Sequence, residues 1–220
     1  MMPALDFHTA RQQMVDQQVR TWEVLDPRIL AALALVPRER FVPPAFSSSA
    51  FADSAIPLPG GQSMLAPKLV GRLLQAVNVQ PKEHVLDVGT GSGYFAACLS
   101  ALGARVTSLE INPELARFAT RNLHQTGTVG VQVLTADATR WQAPEQYDAI
   151  ILSASLPDYD TRYQYWLKPG GRLCLVVGSS EPMSTFLVTR SGPNIWSKTS
   201  LFETWIDPMT HAHRPSGFVF

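Results

Sequence analysis

The chain has 220 residues, 45% apolar and 16% charged, with 18 acidic and 18 basic side chains in balance. That length suits one domain with additions, and that apolar share suits a sizeable core. Nothing in the even charge predicts a nucleic-acid footprint or an anionic membrane surface, both of which need clustered basic charge, and no apolar run approaches the roughly 18 residues that span a bilayer.

In chain order, Met1–His8 offers neither a basic nor an apolar stretch, so no secretory leader is expected. Asp6 is placed to cap a first helix, about Phe7 to Val19. Asp26-Pro27 joins an N-cap to a proline at the first helical position, and that helix is predicted to run to Val36 and stop at Pro37. Arg11, Arg20 and Arg28 read as solvated faces of these helices, and Met14 and Met64 as packing residues. A proline-punctuated stretch from Arg38 to Pro59 leads into a flexible loop, Gly60–Leu65. Pro67 opens a further helix, Lys68 to Val77, with Leu69, Val70, Leu73, Leu74 and Val77 on one face.

From there strands and helices alternate. Strands are predicted at Val85–Val88, Arg105–Leu109, Val131–Leu134, Ala149–Leu152 and Arg172–Val177. Helices are predicted at Tyr94–Leu102, from Asn112-Pro113 to about His124, and at Thr161–Leu167, with a hard turn at Lys168–Gly171. This order implies an α/β fold with a doubly wound, mostly parallel sheet. Thr185–Thr189 and Lys198–Trp205, joined across Ser191–Asn194, are predicted to form an antiparallel hairpin at one sheet edge, with Trp196 and Trp205 in its core. A single domain is expected: a helical region and loop over 1–66, a core over 67–180, and a hairpin and tail over 181–220. Cys98 and Cys174 each sit in an apolar run and make no disulfide framework, which favours a reducing cytosol. His211 and His213 have no cysteine partners, so no metal site is expected in the tail.

The run Val85–Tyr94 carries the chemistry. A buried strand ends in Asp87, and Gly89, Gly91 and Gly93 follow at every second position before a helix N-terminus. Glycine admits unusual φ and lets a backbone approach a ligand closely. The dinucleotide fingerprint is G-x-G-x-x-G. The tighter G-x-G-x-G spacing here suits a nucleoside cofactor without phosphate. Asp87 suits a cationic or hydrogen-bond-donating group, and S-adenosylmethionine carries both a sulfonium and an ammonium. Glu110 ends the second strand, where its two oxygens can accept both ribose hydroxyls. Asp137 follows the third strand, where it can accept from the adenine amino group. Three acids at three successive strand ends lie where open α/β sheets bind ligands. With Thr90, Ile111 and Ala138 beside them, these residues form the expected cofactor site of a Rossmann-like class I methyltransferase fold.

Three further features stand in order: Met14–Arg20 before Asp26–Leu30, the block Val36-Pro37-Arg38-Glu39-Arg40-Phe41-Val42-Pro43, and Pro57–Gln62 before the helix opened by Pro67. Together with the glycine loop they resemble the protein-L-isoaspartate O-methyltransferase family, from about Met14 to Thr189, while Trp196–Phe220 matches it poorly. The resemblance implies methylation of the free α-carboxylate of isoaspartyl residues in damaged proteins. The family's loop typically reads Gly-Gln-Thr-Ile-Ser-x-Pro, its Ser being associated with the acceptor pocket. Here Leu65 holds the Ser position and Ser63 the Thr position. Gln62, Ser63 and Met64 are expected to cover the methyl group as a lid, with Ser63 the best local donor to an acceptor oxygen, and Ser153, after the fourth strand, is expected to line the acceptor side. An ionised carboxylate acceptor needs no general base. Two alternatives stay open: a methyltransferase of this fold acting on a small molecule or RNA through an apolar pocket at Leu65, and a non-catalytic module that binds S-adenosylmethionine.

Overall fold

The computed structural model describes residues 6–212. The Met1–Leu5 part of the leader question and the expectation for His213 lie outside them. Asp6 caps helix α1 (Phe7–Met14), its carboxylate accepting from the backbone N–H groups of His8 and Thr9. The helix does not continue regularly to Val19. The backbone widens into a π turn, Val15–Val19, then tightens into a 3₁₀ turn, Arg20–Trp22, and stops at Glu23 with φ 62°. The widened turn keeps Met14, Val15 and Val19 all buried. Helix α2 (Pro27–Leu35) starts from the Asp26 cap as predicted. Arg11 corrects the expectation of a solvated face. It is buried against this region, its guanidinium 2.6 Å from Glu39 and 3.0 Å from the Ala34 carbonyl. Arg28 stays at the surface on Asp26 and Asn78.

The loop expected at Gly60–Leu65 is half of a small hairpin. Strands β1 (Ile56–Pro57) and β2 (Ser63–Met64) pair antiparallel across the turn Pro59–Gly61. Ile56 and Met64 are buried opposite each other and anchor this two-residue ladder. Helix α3 (Pro67–Val77) then buries the predicted apolar face.

The alternating core follows as β3 (His84–Val88), α4 (Tyr94–Ala101), β4 (Arg105–Glu110), α5 (Pro113–Gln125), β5 (Val131–Thr135), β6 (Tyr147–Leu152), α6 (Arg162–Tyr165) and β7 (Leu167–Val177). The hairpin β8 (Met183–Gly192) and β9 (Ile195–Thr204) completes a seven-stranded sheet in the order β5-β4-β3-β6-β7-β8-β9. The pairings from β5 to β7 are parallel, and the hairpin adds two antiparallel ones. Lys168–Gly171 is not a turn before the strand but a bulge inside β7. Tyr147 pairs with Leu167 and Ala149 with Arg172, so residues 168–171 loop out opposite Asp148. Lys168 Nζ fastens the bulge to the Asp148 carboxylate at 2.7 Å.

Successive strand residues feed two cores. Val85, Ile151 and Cys174 pack toward the N-terminal helices, whereas Leu86, Ile150 and Leu173 pack toward α6. That period-two division over strands buried on both sides explains their near-continuous apolar runs. Cys98 and Cys174 are free and buried, and burial pushes both thiols up to about 12. The strand order departs in opposite directions from β3, toward β4 on one side and β6 on the other. The carboxyl ends of β3 and β6 therefore flank the switch point where such sheets hold ligands.

Candidate active site

The glycine turn is pinned from behind. Gly89 and Thr90 both donate backbone N–H bonds to the Leu109 carbonyl, at 2.9 and 3.1 Å. Glu110, at the end of β4, is nearly fully buried. Its Oε2 accepts from Gly91 N at 2.8 Å and its Oε1 from Asn112 N at 3.0 Å. Each oxygen retains a lone pair for an incoming hydroxyl. Asn112 caps α5 as predicted, accepting from Glu114 N.

Asp137 follows β5. Its Oδ1 accepts from Thr139 N and Oγ1 at 2.9 and 2.7 Å, and its Oδ2 meets His211 Nδ1 at 2.9 Å. Burial raises its pKa, but the bonds from Thr139 and His211 outweigh burial and hold it below the usual range.

Asp87 stands behind the turn, fully buried. It accepts from Ser108 Oγ at 2.7 Å and from Ser153 Oγ at 3.3 Å, and Thr90 Oγ1 joins Ser108 at 2.6 Å. Burial pushes Asp87 up to about 7 against the pull of the two serine bonds, and Glu110 adds to the push.

In front of this turn lies a cavity of about 360 Å³. One wall is the strand-end side: Gly89, Gly91, Glu110, Ile111, Asp137 and Ala138. Gln62, Ser63, Leu65 and Ser153 line the same cavity. Asp87, Thr90 and Gly93, expected in the cofactor set, are not among its lining residues. Thr90 is turned inward to Ser108, and Gly93 is the N-cap of α4, facing Ala119 and Leu123.

Sequence reasoning missed Trp22, Asp53, Lys68 and Arg72, and the whole run Phe202–Asp207, all of which line the cavity. Trp205 corrects the hairpin-core expectation. It is 48% exposed, one residue beyond β9, where strand alternation has ceased. There the chain crosses toward the strand ends, held by Ser155 N on the Asp207 carbonyl and Met209 N on the Ser155 carbonyl. Trp196 stays in the hairpin, edge-on to Tyr165. The signal for Lys68 and Arg72 was available, since they lie four apart on the polar side of an otherwise apolar helix.

The segment that carries Leu65 hangs on Arg38. Its guanidinium is fully buried, donating to the carbonyls of Ala50 and Leu65, both at 2.9 Å, and lying over the Tyr94 ring. Leu65 is thus fixed by its backbone, while its side chain is half-buried at the cavity and packs on the core.

The strand-end wall suits S-adenosylmethionine chemically. Glu110 and Asp137 can accept from hydroxyl and amino groups, and Ile111, Leu115 and Ala138 give apolar surface. At Gly89 φ is 103°, a conformation that L side chains rarely adopt, and a Cβ there would sit 3.4 Å from Ser153 Cβ. Among the described residues no group of three His, Cys, Asp or Glu is placed to hold a metal ion.

The sequence profile of the Protein-L-isoaspartate(D-aspartate) O-methyltransferase family matches residues 9–211. The chain belongs to this family. Protein-L-isoaspartate O-methyltransferases from Koribacter versatilis (strain Ellin345) and Herpetosiphon aurantiacus are 37% and 34% identical to it. They align over 84% and 92% of this chain and 83% and 90% of their own lengths. A solved Plasmodium falciparum chain described as a protein-L-isoaspartate O-methyltransferase in complex with S-adenosyl-L-homocysteine superposes with a TM-score of 0.78. It covers 90% of this chain and 97% of that one at 16% identity, which is a likeness of fold. The profile runs further than the motif resemblance, taking in β9 and the cavity-lining segment after it. As a member of the protein-L-isoaspartate O-methyltransferase family, the chain is an S-adenosylmethionine-dependent methyltransferase.

Proposed function

We propose that the chain methylates the free α-carboxylate of isoaspartyl residues in damaged proteins and peptides, with the cytosol as its compartment. One observation carries the reading of the site. The strand-end acids Glu110 and Asp137 and the loop residues Gln62, Ser63 and Leu65 all line a single cavity. Donor and acceptor groups held there would share one enclosed space. Bound S-adenosylmethionine supplies an electrophilic methyl group on a sulfonium. Glu110 and Asp137 orient the nucleoside part by accepting from its hydroxyl and amino groups. Gln62 and Ser63 cover the acceptor side and exclude water, with Ser63 offering its hydroxyl to an acceptor oxygen. The acceptor carboxylate is ionised at neutral pH, so no residue is asked to remove a proton. The chain's contribution is alignment and desolvation. Two free, buried thiols agree with a reducing compartment.

The test is transfer of a labelled methyl group to an isoaspartyl peptide beside its aspartyl counterpart. Base-labile ester on the first and background on the second is the expected result. Equal labelling, or none with the cofactor still bound, rejects this acceptor.

Leu65 favours a second reading. An aliphatic side chain faces the cavity where a hydroxyl would serve a carboxylate, which suits a less polar acceptor. Leu65→Ser restores a donor worth roughly 1–3 kcal/mol, or about 5- to 150-fold in kcat/KM. If isoaspartyl methylation is native, Leu65→Ser should improve a measurable wild-type rate within that range. A wild type at background, with activity arising only in the Leu65→Ser variant, supports the apolar acceptor.

A further inference from the structure

Among the described residues lining the cavity, the cations are Lys68 and Arg72, against the carboxylates of Asp53, Glu110, Asp137, Glu203 and Asp207. An anionic acceptor therefore has two places where its charge is met. Arg72 lies seven residues beyond Leu65 and is engaged through its Nη1 and its guanidinium face. Its Nη1 donates to Glu23 at 2.7 Å and to the Trp22 carbonyl at 3.1 Å, and its guanidinium lies 4.5 Å from the Phe202 ring centroid. Lys68 is differently placed. Its Nζ is 2.8 Å from Asp53 Oδ2 and 4.2 Å from the Trp22 ring centroid. An ammonium has three N–H donors. Asp53 takes one and the ring face covers another side, which leaves a donor for a ligand. Lys68 lies three residues beyond Leu65, on the first turn of α3, and lines the same cavity. Leu65 has no donor to give, and Lys68 supplies a cation to the same cavity.

We propose that Lys68 binds the anionic group of the methyl acceptor, with Asp53 as its resting counter-ion and Trp22 as the wall that orients it. The carboxylate enters by sharing the ammonium with Asp53 or displacing it. This deepens the isoaspartyl reading and takes the identity of the acceptor from it.

The two partners of the pair give opposite expectations. In Lys68→Met the peptide loses its counter-charge, and the Kd and KM for an isoaspartyl peptide rise roughly 10- to 100-fold. In Asp53→Asn the ammonium loses its competitor, and both constants fall about two- to fivefold. Lys68→Arg keeps most of the wild-type affinity. S-adenosylhomocysteine binding stays within twofold throughout. An ion pair that only braced the loop would make both Lys68→Met and Asp53→Asn weaken the enzyme in the same direction. Peptide binding is measured by calorimetry with S-adenosylhomocysteine present, separately from methyl transfer. Peptide affinity indifferent to Lys68→Met, or weakened alike in both variants, overturns the proposal even if the wild type methylates the peptide. Binding that depends on Lys68 without any transfer upholds the anchor and rejects the isoaspartyl activity. No binding and no transfer by the wild type overturns both.

Discussion

Asp87 sits at the end of a fully buried strand with two serine hydroxyls as its hydrogen-bond partners, and burial lifts its pKa from 3.8 to about 7. A carboxyl that holds its proton more tightly folded than unfolded favours the fold at low pH. Its contribution is full below pH 3.8 and is lost as pH rises through about 7. Asp87→Asn removes this titration while keeping the shape. The difference in stability between wild type and variant should therefore change between pH 4 and pH 7.5, in the variant's favour at the upper end. Urea midpoints across that range read it directly, and parallel pH profiles would refute it. Gly93 makes a second residue-level case. Its φ is 88°, and a Cβ would stand 3.3 Å from both Ala119 Cβ and Leu123 Cγ. Gly93→Ala should cost about 1–3 kcal/mol by overpacking α4 against α5, seen as a lower urea midpoint with an unchanged slope.

At the scale of elements, the loop that carries Leu65 is fastened by one buried side chain. Arg38 ties Ala50 and Leu65 through their carbonyls, so the block after Pro37 positions the segment 62–66. Arg38→Met leaves these groups without their donor, each costing about 1–3 kcal/mol if it stays buried. The expected signature is a lower urea midpoint together with a raised KM for peptide and an unchanged Kd for S-adenosylhomocysteine. A loss of cofactor affinity as large as the loss of peptide affinity would argue against a loop-specific role. The elements themselves were legible wherever local pattern decides them. Strands with apolar runs, the Asp26-Pro27 and Asn112-Pro113 helix starts and the antiparallel hairpin all follow from residues adjacent in sequence. What escaped depends on partners far along the chain. The π turn at Val15–Val19 answers to core packing, and the bulge at 168–171 to the register of β7 on β6. Arg11 is buried because Glu39 and the Ala34 carbonyl lie against it. Within the site, Glu110 and Asp137 were readable as strand-end acids that line the cavity. Asp87 lay one residue further inside, beneath the turn, a depth that spacing along a strand does not encode.

The cavity draws its lining from the length of the chain: Trp22, the stretch 53–72, the strand ends of the core and the run after β9. A ligand in it therefore contacts the helical N-terminal region, the sheet and the hairpin end together. We propose on this basis that the three regions unfold as one unit. Binding to the native state alone adds RT ln(1 + [L]/Kd), about 2.7 kcal/mol at 100 times Kd. For a chain of this size each kcal/mol moves Tm by about 2–4 °C, so S-adenosylhomocysteine at that excess should raise a single transition by about 5–11 °C. The hairpin end is the informative part. If Phe202–Asp207 closes the cavity in solution, its backbone amides should gain hydrogen-exchange protection with the ligand, in step with those of β3 and β4. A second transition that does not move with ligand, or a hairpin end whose exchange ignores it, would separate 181–212 from the cofactor core. The cavity's outer wall would then be assembled only when peptide arrives.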